Sequence, residues 1–272
     1  MKRSICILLA LALLLGCTAC GSSGRVGRFR IIRTLVKQDY SLAFRVGDPT
    51  KDYVDAALKV LMARGAVDEL AVKWFGERII RFDRDPDALE KLQKDGEIAP
   101  RDLIVGVDLS SYPMAYLTKD GQFWGFDIEL SMTVASLLGW NLIIQPIEKD
   151  NVYIELSSGN IDVAWGGVAL DEKELKEDQY SQLGPYVHND IVIAARIDSF
   201  IFNNMMLSGK RLAMCSTAEA MDALNTDPRL VRRLGQISRF AEGTDACFHS
   251  LFSGESDVVL IDTMAIYYVN CH

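Results

Sequence analysis

Two stretches, "LSSGNIDVAWGG" at residues 156–167 and "LFSGESDVVLID" at residues 251–262, carry Leu, Ser-Gly and Asp-Val at matching offsets. Each reads as the end of a helix, a glycine stop and the start of a buried strand. The glycine stands where a helix C-cap takes a left-handed backbone. The aspartate opens a continuous apolar run of the kind buried on both faces of a parallel sheet. Any two helix-to-strand units share some of this punctuation, but its repetition at the same offsets points to two similar α/β lobes. In open α/β sheets, ligands bind beyond the carboxyl ends of the strands at a topological switch point. That rule sets Trp165, Gly166 and Gly167 of one unit across a cleft from Asp262 of the other.

The rest of the chain has the same alternation. Strand-like runs "RIIRTLV", "YSLAFRV", "LIVGVD", "NLIIQPI" and "IDVAWGG" are interleaved with helical patterns at about 52–64, 67–75 and 127–138, an α/β order. Residues 78–101, charged and holding two prolines, suit a surface connection. At 49% hydrophobic and 24% charged residues the chain can bury a sizeable core. A formal charge of −8 without a basic tract argues against nucleic acid as a partner and for a cationic or zwitterionic small molecule.

Lys2 and Arg3 precede an apolar run from Ile5 to Leu15, too short to span a bilayer as a mature helix, which reads as an export signal. The following "GCTACGSSG" resembles the lipobox of bacterial lipoproteins. Cys17 and Cys20 compete as the lipidated residue, and Cys20 is favoured because it opens the flexible "GSSG" tether of residues 21–28. The implied location is extracytoplasmic, anchored to the cell membrane by lipid. In the folded part only Cys215, Cys247 and Cys271 remain, an odd count that allows one unassigned disulfide. His188, His249 and His272 show no metal-ligand spacing, so neither metal nor cofactor is assigned.

"LIVGVDLSSYPMAYLTKDGQFWGFDIELSMTVASLLG" (103–139), "GNIDVAWGGVALDEKELKEDQYSQLGPY" (159–186), "GKRLAMCSTAEAMDAL" (209–224) and "GESDVVLIDTMAIYYV" (254–269) together resemble the bacterial extracellular solute-binding proteins of the polar amino-acid type, the ligand receptors of ABC importers. The resemblance implies a two-lobed periplasmic-binding-protein type II fold with the ligand cleft between the lobes. The family's closing segment, a crossover strand and two helices ending in "KWFG", matches residues 40–77 and therefore stands before the opening strand. The chain looks circularly permuted, with residues 78–101 joining the former termini. The first lobe is then expected at 44–196 and the second at 29–43 plus 197–272, with hinges near Ala43 and Ala195. Such lobes close about a hinge.

The resemblance also implies site residues. Asp262 matches the carboxylate that receives a ligand ammonium, and the competing reading is an N-cap for the helix from Thr263. Ser216 and Thr217 match a helix start that donates to a ligand carboxylate, against simple capping. Gly166 and Gly167 offer backbone amides, and Trp165 is either a stacking platform or core. The family's first-loop aromatic aligns with Ser111, with Tyr112 adjacent; Asp108 and Ser110 are weaker candidates, and Asp127 is read as a helix cap. Where the family places an arginine for the ligand carboxylate, this chain has Glu174 beside Lys173, and its charged neighbours favour the competing reading of a solvated helix face. A carboxylate cannot clamp another carboxylate, so the ligand is expected to be an amino acid held by another cation, or an amine. The partners expected are that small molecule and a membrane ABC permease, with the receptor acting as a monomer. The alternatives are a cyclic-acid dehydratase on the same scaffold, which needs a carboxylic acid of raised pKa, and a ligand-sensing receptor uncoupled from transport.

Overall fold

The structure, a computed structural model, describes residues 25–93, 98–169 and 179–272. Strands β1 (Arg25–Val26), β2 (Phe29–Val36) and β3 (Asp39–Phe44) lead into helices α1 (Thr50–Ala63), α2 (Ala66–Phe75) and α3 (Ala88–Gln93). After these come β4 (Asp102–Val107), the hairpin β5 (Tyr116–Leu117) and β6 (Phe123–Trp124), α4 (Phe126–Leu138), β7 (Asn141–Pro146), α5 (Val152–Ser158) and β8 (Val163–Ala164). Two long strands follow, β9 (Ser181–His188) and β10 (Ile191–Arg196). The chain continues through β11 (Arg211–Cys215), α6 (Ala218–Asn225), α7 (Pro228–Val231), β12 (Gln236–Phe240), α8 (Thr244–Ser253), β13 (Val258–Asp262) and α9 (Thr263–Cys271).

These strands form two main sheets, ordered β7-β4-β8-β3-β9 and β1-β2-β10-β13-β11-β12. Each is the centre of one lobe. In the second sheet the apolar run of β13 is buried on both faces. Val258 and Leu260 pack with Ile193, Leu212 and Leu224, while Val259 and Ile261 pack with Phe29, Val192 and Phe248. Two-sided burial explains why the run is continuous instead of alternating.

The chain passes between the sheets twice, from β2 to β3 through Lys37–Gln38 and from β9 to β10 through Asn189–Asp190. The boundaries expected near Ala43 and Ala195 therefore shift. Residues 39–43 are strand of the first sheet and residues 191–196 are strand of the second, because each long apolar run ends at a polar triplet before the sheet changes. Residues 78–101 also depart from a plain surface connection, since Ile80 is buried and Phe82 stacks on Tyr186 at 5.5 Å.

The repeated glycines and aspartates have the same local role in both lobes. Gly159 and Gly254 end α5 and α8 with φ of 78° and 81°. At Asp162 the backbone N–H donates to Ile104 O (2.9 Å) and the carboxylate accepts from Ile104 N (2.8 Å). Asp257 pairs identically with Arg211, at 2.9 Å in both directions. Each carboxylate also takes a guanidinium, Arg101 on Asp162 and Arg211 on Asp257. The aspartates thus lock one strand's start to its neighbour.

Asp162→Ala leaves the Ile104 amide without its acceptor in a largely buried position and should cost about 2–4 kcal/mol. Denaturant unfolding should show a lower midpoint at unchanged slope, with Asp162→Asn less damaging. An alanine variant as stable as the parent would refute the lock.

Candidate functional site

A cavity of about 620 Å³ opens between the lobes at the carboxyl end of β13. Asp262 forms part of its wall, as do Cys215, Ser216 and Thr217 at the end of β11 and Glu242 and Asp245 before and in α8. The first lobe contributes Ser110, Tyr112, Tyr116 and Lys119. An adjoining hollow that shares Ser110, Thr217 and Glu219 adds Asp108, Glu148, Asp150 and Asp222. The cleft is thus strongly acidic, with Lys119 and Lys149 as its basic side chains among the described residues.

Asp262 does not cap α9: no helix N–H reaches its side chain. The cap is Asn189, whose Oδ1 accepts from Met264 N at 3.1 Å while its Nδ2 donates to Asp262 Oδ1 at 3.0 Å and to the Tyr40 hydroxyl at 2.5 Å. Burial raises the Asp262 pKa to about 7, helped by the charge of Glu219 and opposed by the Asn189 hydrogen bond and by Lys149. Lys149 itself is held by Glu219 at 2.8 Å, an ion pair that bridges the cleft from the turn before α5 to the first turn of α6. Asn189 and Tyr40 are the participants that sequence reasoning missed; the polar "HND" between two apolar strands was the available signal.

Other candidates sit elsewhere. Trp165 is fully buried in the first-lobe core, its backbone N–H on Gly106 O at 2.8 Å, so it is core and not a stacking platform. The Gly167 amide is already taken, donating to Asp127 Oδ2 at 3.1 Å, and the Tyr186 hydroxyl donates to the same oxygen at 2.7 Å. Ser111 is buried against Gly167, where a Cβ would stand 2.3 Å from its own. Gly166, at φ 117°, is packed against Val107 and Ala115. None of these four is in the cavity wall, which leaves Tyr112 as the first-loop aromatic there. Its ring lies 4.9 Å from Tyr116 and 5.3 Å from Tyr268 on α9, and Tyr268 lies 5.6 Å from Trp74. The "KWFG" tryptophan thereby connects α2 of the first lobe to α9 of the second. Thr217 caps α6 through its hydroxyl (Ala220 N, 3.2 Å), and the Ser216 amide donates to Phe240 O at 2.9 Å. Capping, the simpler alternative, describes Thr217. Glu174, Lys173, Cys17 and Cys20 lie outside the described residues.

Asp127 does not cap its helix either; Gly125 holds that position, and the carboxylate reaches across to Gly167 and Tyr186. The Trp165 indole N–H is turned toward the same carboxylate without reaching hydrogen-bonding geometry. Burial raises the Asp127 pKa to about 7 against these donors.

The description of bacterial extracellular solute-binding proteins, family 3, matches residues 103–260, more than half of the chain. The chain belongs to this family. It is 27% identical over 211 residues to the L-cystine-binding protein TcyJ of Escherichia coli (strain K12), covering 77% of this chain and 72% of that one. A cyclohexadienyl dehydratase of Pseudomonas aeruginosa is 25% identical over 69 residues, a quarter of either chain. Among solved structures, a polar amino acid ABC uptake transporter substrate-binding protein from Streptococcus thermophilus is 29% identical with a TM-score of 0.47. That likeness covers 59% of this chain and spans 61% of the length of the other.

A carboxyl whose pKa is about 7 in the folded state and near 4 in the unfolded chain favours folding in its protonated form. This contribution is complete below about pH 4 and is lost as pH rises through 7. Asp127→Asn keeps an acceptor and cannot ionise. Relative to the parent, it should therefore gain about 4 kcal/mol between pH 4 and pH 8. Parallel unfolding curves across that range would overturn the assignment.

Proposed function

We propose that this solute-binding protein is the receptor of an ABC importer for a small cationic amino acid or amine, taken up by closure of the two lobes. The observation that carries this reading is Asp262, a carboxylate at the end of β13 whose hydrogen bond comes from a neutral amide in a cavity walled by further acids. A ligand ammonium would supply the missing counter-charge, and a charge-assisted bond in a confined cleft outweighs one at the surface. Tyr112, Tyr116 and Tyr268 form an aromatic wall suited to the same cation. The name of one shorter match, the probable ABC transporter arginine-binding protein ArtJ of Chlamydia trachomatis, fits this chemistry. The enzyme alternative is weaker, although Asp262 has the raised pKa of an acid catalyst. Glu219, Glu242 and Asp245 would repel a carboxylate substrate.

Ammonium binding requires ionised Asp262. Affinity for a diamine or for arginine, measured by calorimetry, should be full at pH 8 and fall on the order of tenfold per unit below pH 7. Asp262→Asn should lose both the affinity and its pH dependence. Binding that strengthens on acidification, or anionic ligands that outcompete amines, would defeat the proposal.

The same reading includes a lipid anchor at Cys20 or Cys17 and a permuted chain order. The permutation is supported by strand β3 and helices α1 and α2, which complete the first lobe although they precede the matched residues 103–260. Arg28 N donates to Asn270 Oδ1 at 3.0 Å, so β2 begins beside the last turn of α9. A rearranged chain starting at residue 101, running to 272 and continuing through a short flexible linker into residues 28–77 should fold and bind the same ligand. Loss of folding in that chain would count against the permuted order.

A further inference from the structure

We propose that Cys215 and Cys247 are a thiol pair that closes to a disulfide through the ligand cavity. Cys215 ends β11 and lies in the cavity wall, whereas Cys247 is fully buried in the first turn of α8 directly behind it. Their sulfurs are 3.5 Å apart, and the Thr244 hydroxyl lies 3.7 Å from the Cys215 sulfur. Among the described residues the remaining thiol, Cys271, is exposed on α9 beside Gly76.

The two sulfurs have unequal access, and this assigns an order of events. Cys215 is reachable from the cavity; Cys247 is reachable only from Cys215. The hydrogen bond from Cys247 pushes the Cys215 thiol below its ordinary pKa, and the same contact with burial pushes Cys247 up, so Cys215 is the attacking thiolate. The oxidant is a small disulfide, RSSR. The Cys215 thiolate attacks one sulfur, the S–S bond breaks, and RS⁻ leaves and takes up the proton, giving the mixed disulfide Cys215–SR. Cys247, losing its proton to solvent, attacks the Cys215 sulfur and expels the second RS⁻. Two protein thiols are oxidised and one disulfide is reduced to two thiols. The product joins the end of β11 to the first turn of α8 and withdraws the Cys215 thiol from the cavity wall. Glu242, Asp245 and Asp262 line the route, so cationic disulfides should enter faster than anionic ones. This inference stands on the cavity and the two sulfurs and does not depend on which solute is bound.

The test uses the full chain in mild detergent, exposed to cystamine, a dicationic disulfide, or to oxidised glutathione, an anionic one. Alkylation and peptide mass mapping then follow each cysteine separately. Cystamine should yield the linked 215–247 peptide pair, at least tenfold faster than oxidised glutathione does, while Cys271 gives only a mixed disulfide. Cys247→Ser should trap the cystamine adduct on Cys215, and Cys215→Ser should leave Cys247 unmodified. The linked form should melt several degrees higher than the reduced one, because the cross-link restricts the unfolded chain. If a serine variant fails to fold, the parent protein still decides. Absence of the linked peptide, or linkage at equal rates with both disulfides, would overturn the proposal.

Discussion

The arrangement depends on one buried amide. Asn189 sits in the crossover from β9 to β10, and its backbone N–H donates to Gln38 O in the other crossover at 2.9 Å. Its side chain holds Tyr40 of the first sheet, Asp262 at the end of β13, and the first turn of α9. A single residue therefore couples the two crossovers, aims the carboxylate and starts the helix that carries Tyr268. A buried polar network of this kind is costly when half satisfied and rigid when complete. The position of Asp262 at the junction of the two lobes follows from it.

Two carboxyls raised to about pH 7 flank this junction and do opposite things. Asp127 is sealed with Trp165 and Tyr186, and its Oδ2 accepts from both the Gly167 amide and the Tyr186 hydroxyl. Asp262 faces the cavity, and one neutral donor supports it. The first is a structural tie; the second has the chemistry of a receptor group. Between the lobes, Lys149 and Glu219 form a partly exposed pair, which by itself stabilises closure only weakly.

Features governed by neighbours in sequence were legible. Gly159 and Gly254 could be read as helix stops and Asp162 and Asp257 as strand starts because the reasons are local backbone conformation and local pattern. Asp262 was readable because a strand end in an α/β lobe points to the cleft. Burial of Trp165 was not, since it depends on Ser111 and Ala115 folding back against Gly166 and Gly167. The crossovers were displaced by about six residues because apolar runs continue on both sides of them; the polar triplets Lys37-Gln38-Asp39 and His188-Asn189-Asp190 were the true breaks. Asn189 itself has partners 73 to 149 positions away, beyond the reach of any local pattern.

The contact between Arg28 and the last turn of α9 has a mechanical consequence. Arg28 bonds to both Asn270 and the Val269 carbonyl, and β2 runs directly from there along β10 in the second sheet. A pull on the chain ahead of β2 would be delivered first as shear across the β2–β10 ladder of the second sheet. The crossovers at Gln38 and Asn189 lie at the far end of that ladder. The same last turn of α9 meets α2 through Tyr268 on Trp74, so such a load would reach this contact between the lobes before it reached the crossovers.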